Sequence, residues 1–162
     1  MSAKAKKSRV TSLFPLLSIG RRAAKLKSQI KLFANPKTEA QHQMNVIRWS
    51  EIVRDIYPEL KLLFHVPNGG TRDVVEAKHL KDQGLKPGVP DLCLPVPRGQ
   101  YHGLYVEMKT EKGKTSEDQD WWIEQLKMQG YYVGAYHGWQ SAIQIIEWYL
   151  KLGGAQPDKS SS

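Results

Sequence analysis

Two short runs combine residue types whose spacing could do chemistry: Val89-Pro90-Asp91, and Glu107-Met108-Lys109 at the end of an apolar stretch that begins at Gly103. Side chains alternate between the faces of a strand, so Tyr105, Glu107 and Lys109 share one side of the second run and Leu104, Val106 and Met108 the other. An acid and an ammonium placed side by side among apolar residues have an electrostatic reason to coexist if the acid holds a metal ion and the lysine faces the reacting group. Asp91 opens an earlier apolar run, its carboxylate aimed by the fixed backbone of Pro90. If the two strands pair, Asp91 and Glu107 converge on one hard cation such as Mg²⁺, which prefers oxygen ligands and keeps several waters. Lys109 would then stand beside water activated by that cation, and the chemistry on offer is phosphodiester hydrolysis. The competing account is a surface salt bridge between Glu107 and Lys109, worth little to stability. It sits badly with two acids flanked by apolar residues, where an unpaired charge is costly.

The elements that must position these groups show in the periodicity. Thr38-Glu39-Ala40-Gln41, just after Pro36, has the form of a capping box and starts a helix that Pro58 closes. At 100° per residue Glu39 shares the face expected to be buried with Gln43, Val46, Ser50, Val53 and Tyr57, flanked by Ile47 and Trp49. Glu39 thus joins the inward-pointing acids as a third member. Residues 62–66 read as a strand ended by Pro67-Asn68-Gly69-Gly70, and a helix over 71–83 stops at Gly84. Strands follow over 91–96 and 103–109. Ser116 caps a third helix that Gly130 ends, residues 131–136 form the last strand, and Ala142, Ile145, Ile146, Tyr149 and Leu150 recur at helical spacing. This order of helices and strands implies an α/β domain with a mixed sheet covered by helices.

At 162 residues the chain is long enough for one well-packed core and too short for two large domains. The single cysteine, Cys93, excludes an internal disulfide and a cysteine zinc cluster and reads as a core residue of its strand. No run approaches the roughly 20 apolar residues of a membrane-spanning helix. Charge is divided sharply: ten Lys or Arg and no acid up to Thr38, then 14 basic against 16 acidic residues, so the net +8 splits into +10 and −2. The basic arm, residues 1–37, favours a polyanion, with nucleic acid ahead of an anionic membrane or a merely solvated tail. Its apolar patch at Leu13-Phe14-Pro15-Leu16-Leu17 is too interrupted for a secretory signal, whereas an organelle transit peptide stays open. The expected compartment is the cytoplasm of a bacterium or host cell. The serine-rich end, within residues 153–162, reads as a disordered tail.

Other chemistries fail on spacing. No two of the five histidines lie four residues apart, which removes a helical metalloprotease motif, and no phosphate-cradling Gly-x4-Gly-Lys-Ser/Thr exists. Trp122, Ile123 and Leu126 are core candidates, and one of Trp121, Trp139 and Trp148 is a candidate for exposure. Ser116-Glu117-Asp118-Gln119 is a second capping box, in which Gln119 either folds back on Ser116 or serves the site. Gly69, Gly70, Thr71 and Arg72 could bring amides and a guanidinium to a phosphate at a helix start. Arg72, with Lys86 and Lys114 as weaker companions, is the candidate for DNA contact.

Five runs together resemble one family: Glu39-Ala40-Gln41-His42-Gln43, Pro67-Asn68-Gly69-Gly70-Thr71-Arg72, Gly88-Val89-Pro90-Asp91-Leu92, Gly103 through Lys109, and Ser116-Glu117-Asp118-Gln119. In this order, over residues 38–152, they look like the VRR-NUC nucleases of the PD-(D/E)xK superfamily, small stand-alone virus or bacterial members especially. The resemblance implies a restriction-endonuclease-like core, a mixed four-stranded sheet flanked by helices. It implies a Mg²⁺- or Mn²⁺-dependent endodeoxyribonuclease in which Asp91, Glu107 and the Met108 carbonyl hold metal. Lys109 would be the catalytic lysine, Glu39 an accessory acid near a metal, and Gln119 a supporting polar residue. Stand-alone members further imply a homodimer cutting branched DNA such as four-way (Holliday) junctions, since paired cuts on opposed strands need two sites in fixed relation. The rival expectations are a non-catalytic nucleic-acid-binding protein on a nuclease scaffold and a membrane-surface module.

Overall fold

The computed structural model describes Phe33, residues 36–67 and residues 74–153. Helix α1 (Glu39–Val53) begins where Thr38 Oγ1 accepts the Gln41 backbone N–H at 3.2 Å. The capping box is not reciprocal as expected: Gln41 Oε1 accepts the N–H of Lys37, at 2.7 Å, instead of that of Thr38. Pro58 opens a short 3-10 helix, Pro58–Leu62, which takes Leu62 out of the predicted strand. Only β1 (Phe64–His65) remains extended, both residues exposed. Helix α2 (Val74–Asp82) closes on a glycine as predicted, with Gly84 at φ +96° and the Leu85 N–H reaching back to the Leu80 carbonyl at 2.9 Å. Strands β2 (Leu92–Leu94) and β3 (Leu104–Lys109) follow. Helix α3 (Glu117–Met128) ends on Gly130 by the same device, leading to β4 (Tyr132–His137) and α4 (Gly138–Lys151).

The strands form one sheet in the order β1-β2-β3-β4, antiparallel at the first two pairings and parallel at the last. The sheet is therefore mixed and four-stranded, as expected. Alternation along β3 divides the interior in two. Leu104, Val106 and Met108 pack with Val46, Trp49 and Val53 of α1 and with Ala142, Ile143, Ile146 and Tyr149 of α4. On the opposite face Ile123 and Leu126 of α3 meet Val133, edged by Tyr105, Trp122 and Tyr131. Trp49 and Tyr149 are wholly buried in the larger cluster, and truncating such an aromatic costs about 3–5 kcal/mol. Among the described residues no helix is long and apolar enough to cross a membrane. Two tryptophans rather than one are exposed, Trp121 and Trp148, while Trp139 is buried.

The buried face of α1 is turned from the one expected. His42, Asn45, Val46, Trp49, Ser50 and Val53 are buried, whereas Glu39 and Gln43 are half-exposed. Trp49 is the reason: its large apolar surface takes the centre of the interface and moves Glu39 to the rim. The same rotation gives His42 a structural task. No side chain of its own segment caps α4; His42 Nδ1 accepts the Trp139 N–H across the helix pair at 3.1 Å. A second tie runs from the loop before β2 to α3. Trp122 Nε1 donates to the Pro87 carbonyl at 2.9 Å, and Gly88 lies so close that a Cβ there would be 2.6 Å from the Asp118 carbonyl carbon.

Two outcomes follow from these ties. Accepting the Trp139 N–H requires an unprotonated Nδ1, and burial lowers the His42 pKa from its ordinary 6.5, against the opposing pull of Glu111 and Glu39. The unfolded chain then takes up the proton first, so the His42 contribution is complete above about pH 6.5 and is lost as the pH falls toward the folded value. Urea unfolding at a series of pH values checks this: His42→Asn, whose Oδ1 can still accept, should lose stability less steeply than the parent between pH 6.5 and 5. For the loop, Gly84→Ala meets only the positive-φ penalty, because nothing lies within 4 Å of its Cβ position. Gly88→Ala (φ +80°) adds a clash with backbone. Denaturant midpoints should show about 1 kcal/mol lost for Gly84→Ala and at least about 2 kcal/mol for Gly88→Ala.

Candidate active site

The antiparallel register of β2 on β3 pairs Leu92 with Val106, and its continuation by one residue sets Asp91 opposite Glu107. Asp91 is pinned from two sides. Its Oδ2 accepts the Met108 backbone N–H at 2.8 Å, and its own carbonyl accepts from the Val66 N–H at 2.8 Å and from His65 Nδ1 at 3.0 Å. The short β1 and the buried Pro90 thus serve to fix one carboxylate.

Glu107 is 1% exposed and Lys109 3% exposed, on the face of β3 that α3 covers. Glu107 Oε1 pairs with Lys109 Nζ at 2.8 Å and accepts from Gln119 Nε2 at 2.5 Å. Its second oxygen, Oε2, is buried with no hydrogen-bond partner. Lys109 Nζ also reaches Glu39 Oε1 at 3.3 Å, and the Glu39 side chain is 43% exposed. Burial, together with the charges of Asp91 and Glu39, pushes Glu107 up to about 7 against the opposing hydrogen bond and charge of Lys109. Asp91 is raised too, by burial above all, with the Met108 N–H and Lys109 opposing. For Lys109 burial pulls downward, but the hydrogen bond and charge of Glu107 and the charge of Glu39 outweigh it, and the ammonium is held above its ordinary range.

Gln119 performs both tasks the sequence allows it. Its N–H and Oε1 complete the capping box with Ser116 Oγ (3.3 Å) and the Ser116 N–H (3.0 Å). Its Nε2 is left over for Glu107, because an amide carries an acceptor and two donors on different atoms.

A buried carboxylate oxygen without a partner is expensive unless something outside the protein's own donors meets it. Glu107 Oε2, on the residue opposite Asp91 in register, fits a hard divalent cation, which prefers carboxylate oxygen and completes its shell with water. Among the described residues no three His, Cys, Asp or Glu side chains group closely enough to chelate an ion alone. The residues that could hold an ion are therefore Asp91 and Glu107, opposite one another in register, while Glu39 is engaged by Lys109. Of the candidates for DNA contact, Lys86 is exposed on the loop before Asp91, Lys114 borders the site, and Arg72 lies outside the described residues.

An open cavity of about 430 Å³ adjoins this cluster, lined by Lys109, Lys114, Thr115, Asp120, Ala135 and His137 among others. His137 and Asp120 were not singled out from the sequence. His137 pairs with Lys109 in the parallel register of β3 and β4, which puts the two side chains on the same face. The signal was a polar residue closing an apolar strand, just as Lys109 closes β3, but it is visible only once the register is known.

The VRR-NUC domain family model matches residues 29–140 of the chain. A solved structure described as a VRR_NUC domain protein superimposes with a TM-score of 0.63 at 32% sequence identity, covering 75% of this chain and 94% of that one. A comparison with curated proteins finds no match. With more than half its length inside the family model and its four-stranded mixed sheet shared with that relative, the chain belongs to the VRR-NUC family and carries a nuclease-type domain.

Proposed function

We propose that this protein is a divalent-metal-dependent endonuclease that hydrolyses DNA phosphodiester bonds. The observation that carries this reading is the unpartnered, buried Oε2 of Glu107, a residue opposite Asp91 in strand register, with the Lys109 ammonium 2.8 Å from the other oxygen of the same carboxylate. Asp91 and Glu107 would hold Mg²⁺ or Mn²⁺, with the Met108 carbonyl beside them and Glu39 as an accessory acid. When bound, the ion supplies Lewis acidity at the scissile phosphate and lowers the pKa of the attacking water. The chain's own groups do the positioning. Gln119 and Lys109 hold Glu107 in a single orientation by opposed hydrogen bonds to one oxygen. Between two carboxylates Lys109 stays a cation, and it is suited to stabilising the negative charge that develops on the phosphoryl oxygens rather than to taking a proton. Lys86 would contact a backbone phosphate and Lys114 the DNA at the edge of the site, joined by Arg72 and the basic arm through salt-sensitive attraction.

The proposed substrate is branched DNA such as a four-way junction, and the proposed working unit is a homodimer, because opposed strands must be cut by two sites in fixed relation. Incubation of the full chain with linear, flap and four-way DNA in Mg²⁺, Mn²⁺ or chelator tests the reading. Cleavage should require metal and be fastest on the branched substrate. Salt-sensitive binding without turnover on any of them would leave only a DNA-binding scaffold.

Lys109→Met should lower the single-turnover cleavage rate by at least about a hundredfold. Because it also strips a buried carboxylate of its partner, its thermal midpoint should fall in metal-free buffer. Glu107→Gln should lose cleavage as well. A second measurement separates metal binding from turnover: saturating Mg²⁺ should raise the wild-type melting temperature by mass action, with a gain of about 2.7 kcal/mol at a hundredfold excess over Kd. Glu107→Gln and Asp91→Asn should show little or none of that rise.

A further inference from the structure

The cavity beside Lys109 is larger than catalysis at a phosphate requires. At about 430 Å³ it falls within the roughly 300–1,000 Å³ range of small-molecule sites. Its walls also differ in character from the catalytic cluster. Ala135, the register partner of Glu107, leaves room where a longer side chain would fill it. His137 Nε2 lies 3.0 Å from the Gly113 carbonyl. A carbonyl can only accept, so Nε2 carries a proton and donates it to that bond. Asp120 adds a carboxylate to the same wall, and Lys114 and Thr115 add donors. Asp120 offers two acceptor oxygens and Lys114 an ammonium donor. They complement an edge carrying two N–H donors and one carbonyl oxygen, and among the DNA bases that is the Watson–Crick edge of guanine.

We infer that this cavity receives one unpaired nucleobase next to the scissile phosphate, preferring guanine. The Asp120 carboxylate accepts from guanine N1–H and the exocyclic amine, and Lys114 donates to O6. A Watson–Crick edge is free only where the base is out of its pair, so the cavity selects junctions, flaps and single strands over intact duplex. This inference rests on the nuclease reading for the placement of the scissile bond, but recognition in the cavity involves none of the carboxylates assigned to metal.

The test uses the full chain in two arms. In the first, cleavage of a flap substrate is compared with guanine, hypoxanthine, cytosine or an abasic residue at each position flanking the cut. At one position guanine should be cut about tenfold faster than cytosine or the abasic site, with hypoxanthine in between, and Asp120→Ala should remove the preference. Uniform rates with every base would overturn the inference while leaving the nuclease reading intact. In the second arm, metal-free protein is titrated with dGMP, dCMP and inorganic phosphate, and the His137 imidazole is followed by NMR. Saturable shifts with dGMP, weaker with dCMP and absent with phosphate, support the site. Equal shifts with phosphate would identify an anion site and overturn it. If no substrate is cleaved under any condition, the nuclease reading fails, and this second arm still decides the cavity.

Discussion

Everything about the site depends on one costly interaction, the Glu107–Lys109 ion pair buried on the α3 face of β3. Removing two charges from water costs several kcal/mol for each, and a well-packed apolar pair of similar volume is often as stable or more so. Stability alone is therefore a poor reason for the pair to exist. It is held in an unbalanced form: one Glu107 oxygen takes both the Lys109 and the Gln119 hydrogen bonds, and the other has no partner. Balanced pairing would have spread the two donors over both oxygens. Concentrating them on Oε1 leaves Oε2 buried without a donor, on a carboxylate that also feels the charge of Asp91, which is the electrostatic condition a cation relieves.

The fold can be understood as the means of keeping that imbalance in place. Around Glu107, which lies within β3, the other contributing groups stand at element ends: Glu39 at the start of α1, Asp91 just before β2, Lys109 at the end of β3, Gln119 in the first turn of α3 and His137 at the end of β4. Element ends are where side chains escape the packing of the interior while their backbones remain fixed. The two apolar clusters then act separately. The larger one locks α1 and α4 to the sheet, with the His42 bond to Trp139 N–H joining the two helices at their N-terminal ends. The smaller one and the Pro87-Gly88 strap hold α3, so the first turn of that helix can approach β3 closely enough for Gln119 to reach Glu107.

Where the sequence misled, local rules had competitors. Pro58 favours a 3-10 turn as readily as it ends a helix, and that turn took Leu62 from the predicted first strand. The helical-wheel reading of α1 weighed positions equally, whereas the volume of Trp49 decided which face went inward and left Glu39 half-exposed. For Gln119 the choice between cap and site was false, because three different atoms of one amide and its backbone satisfy both. The glycine stops at Gly84 and Gly130, the alternation of β3 and the mixed sheet were all legible, since each rests on short-range backbone geometry or on a period of two.

By itself, then, the order of residues determined the element types, the face of β3 that carries Glu107 and Lys109, and the candidacy of Asp91. These follow from backbone stereochemistry and from the cost of placing charge among apolar neighbours, both of which act over a few residues. The tertiary structure alone decided that Asp91 lies across from Glu107, that Lys109 bridges to Glu39, and that His137 and Asp120 border the same cavity. Those relations depend on strand register and on how far α3 settles onto the sheet. Both are set by long-range packing, for which a single sequence carries no local signal.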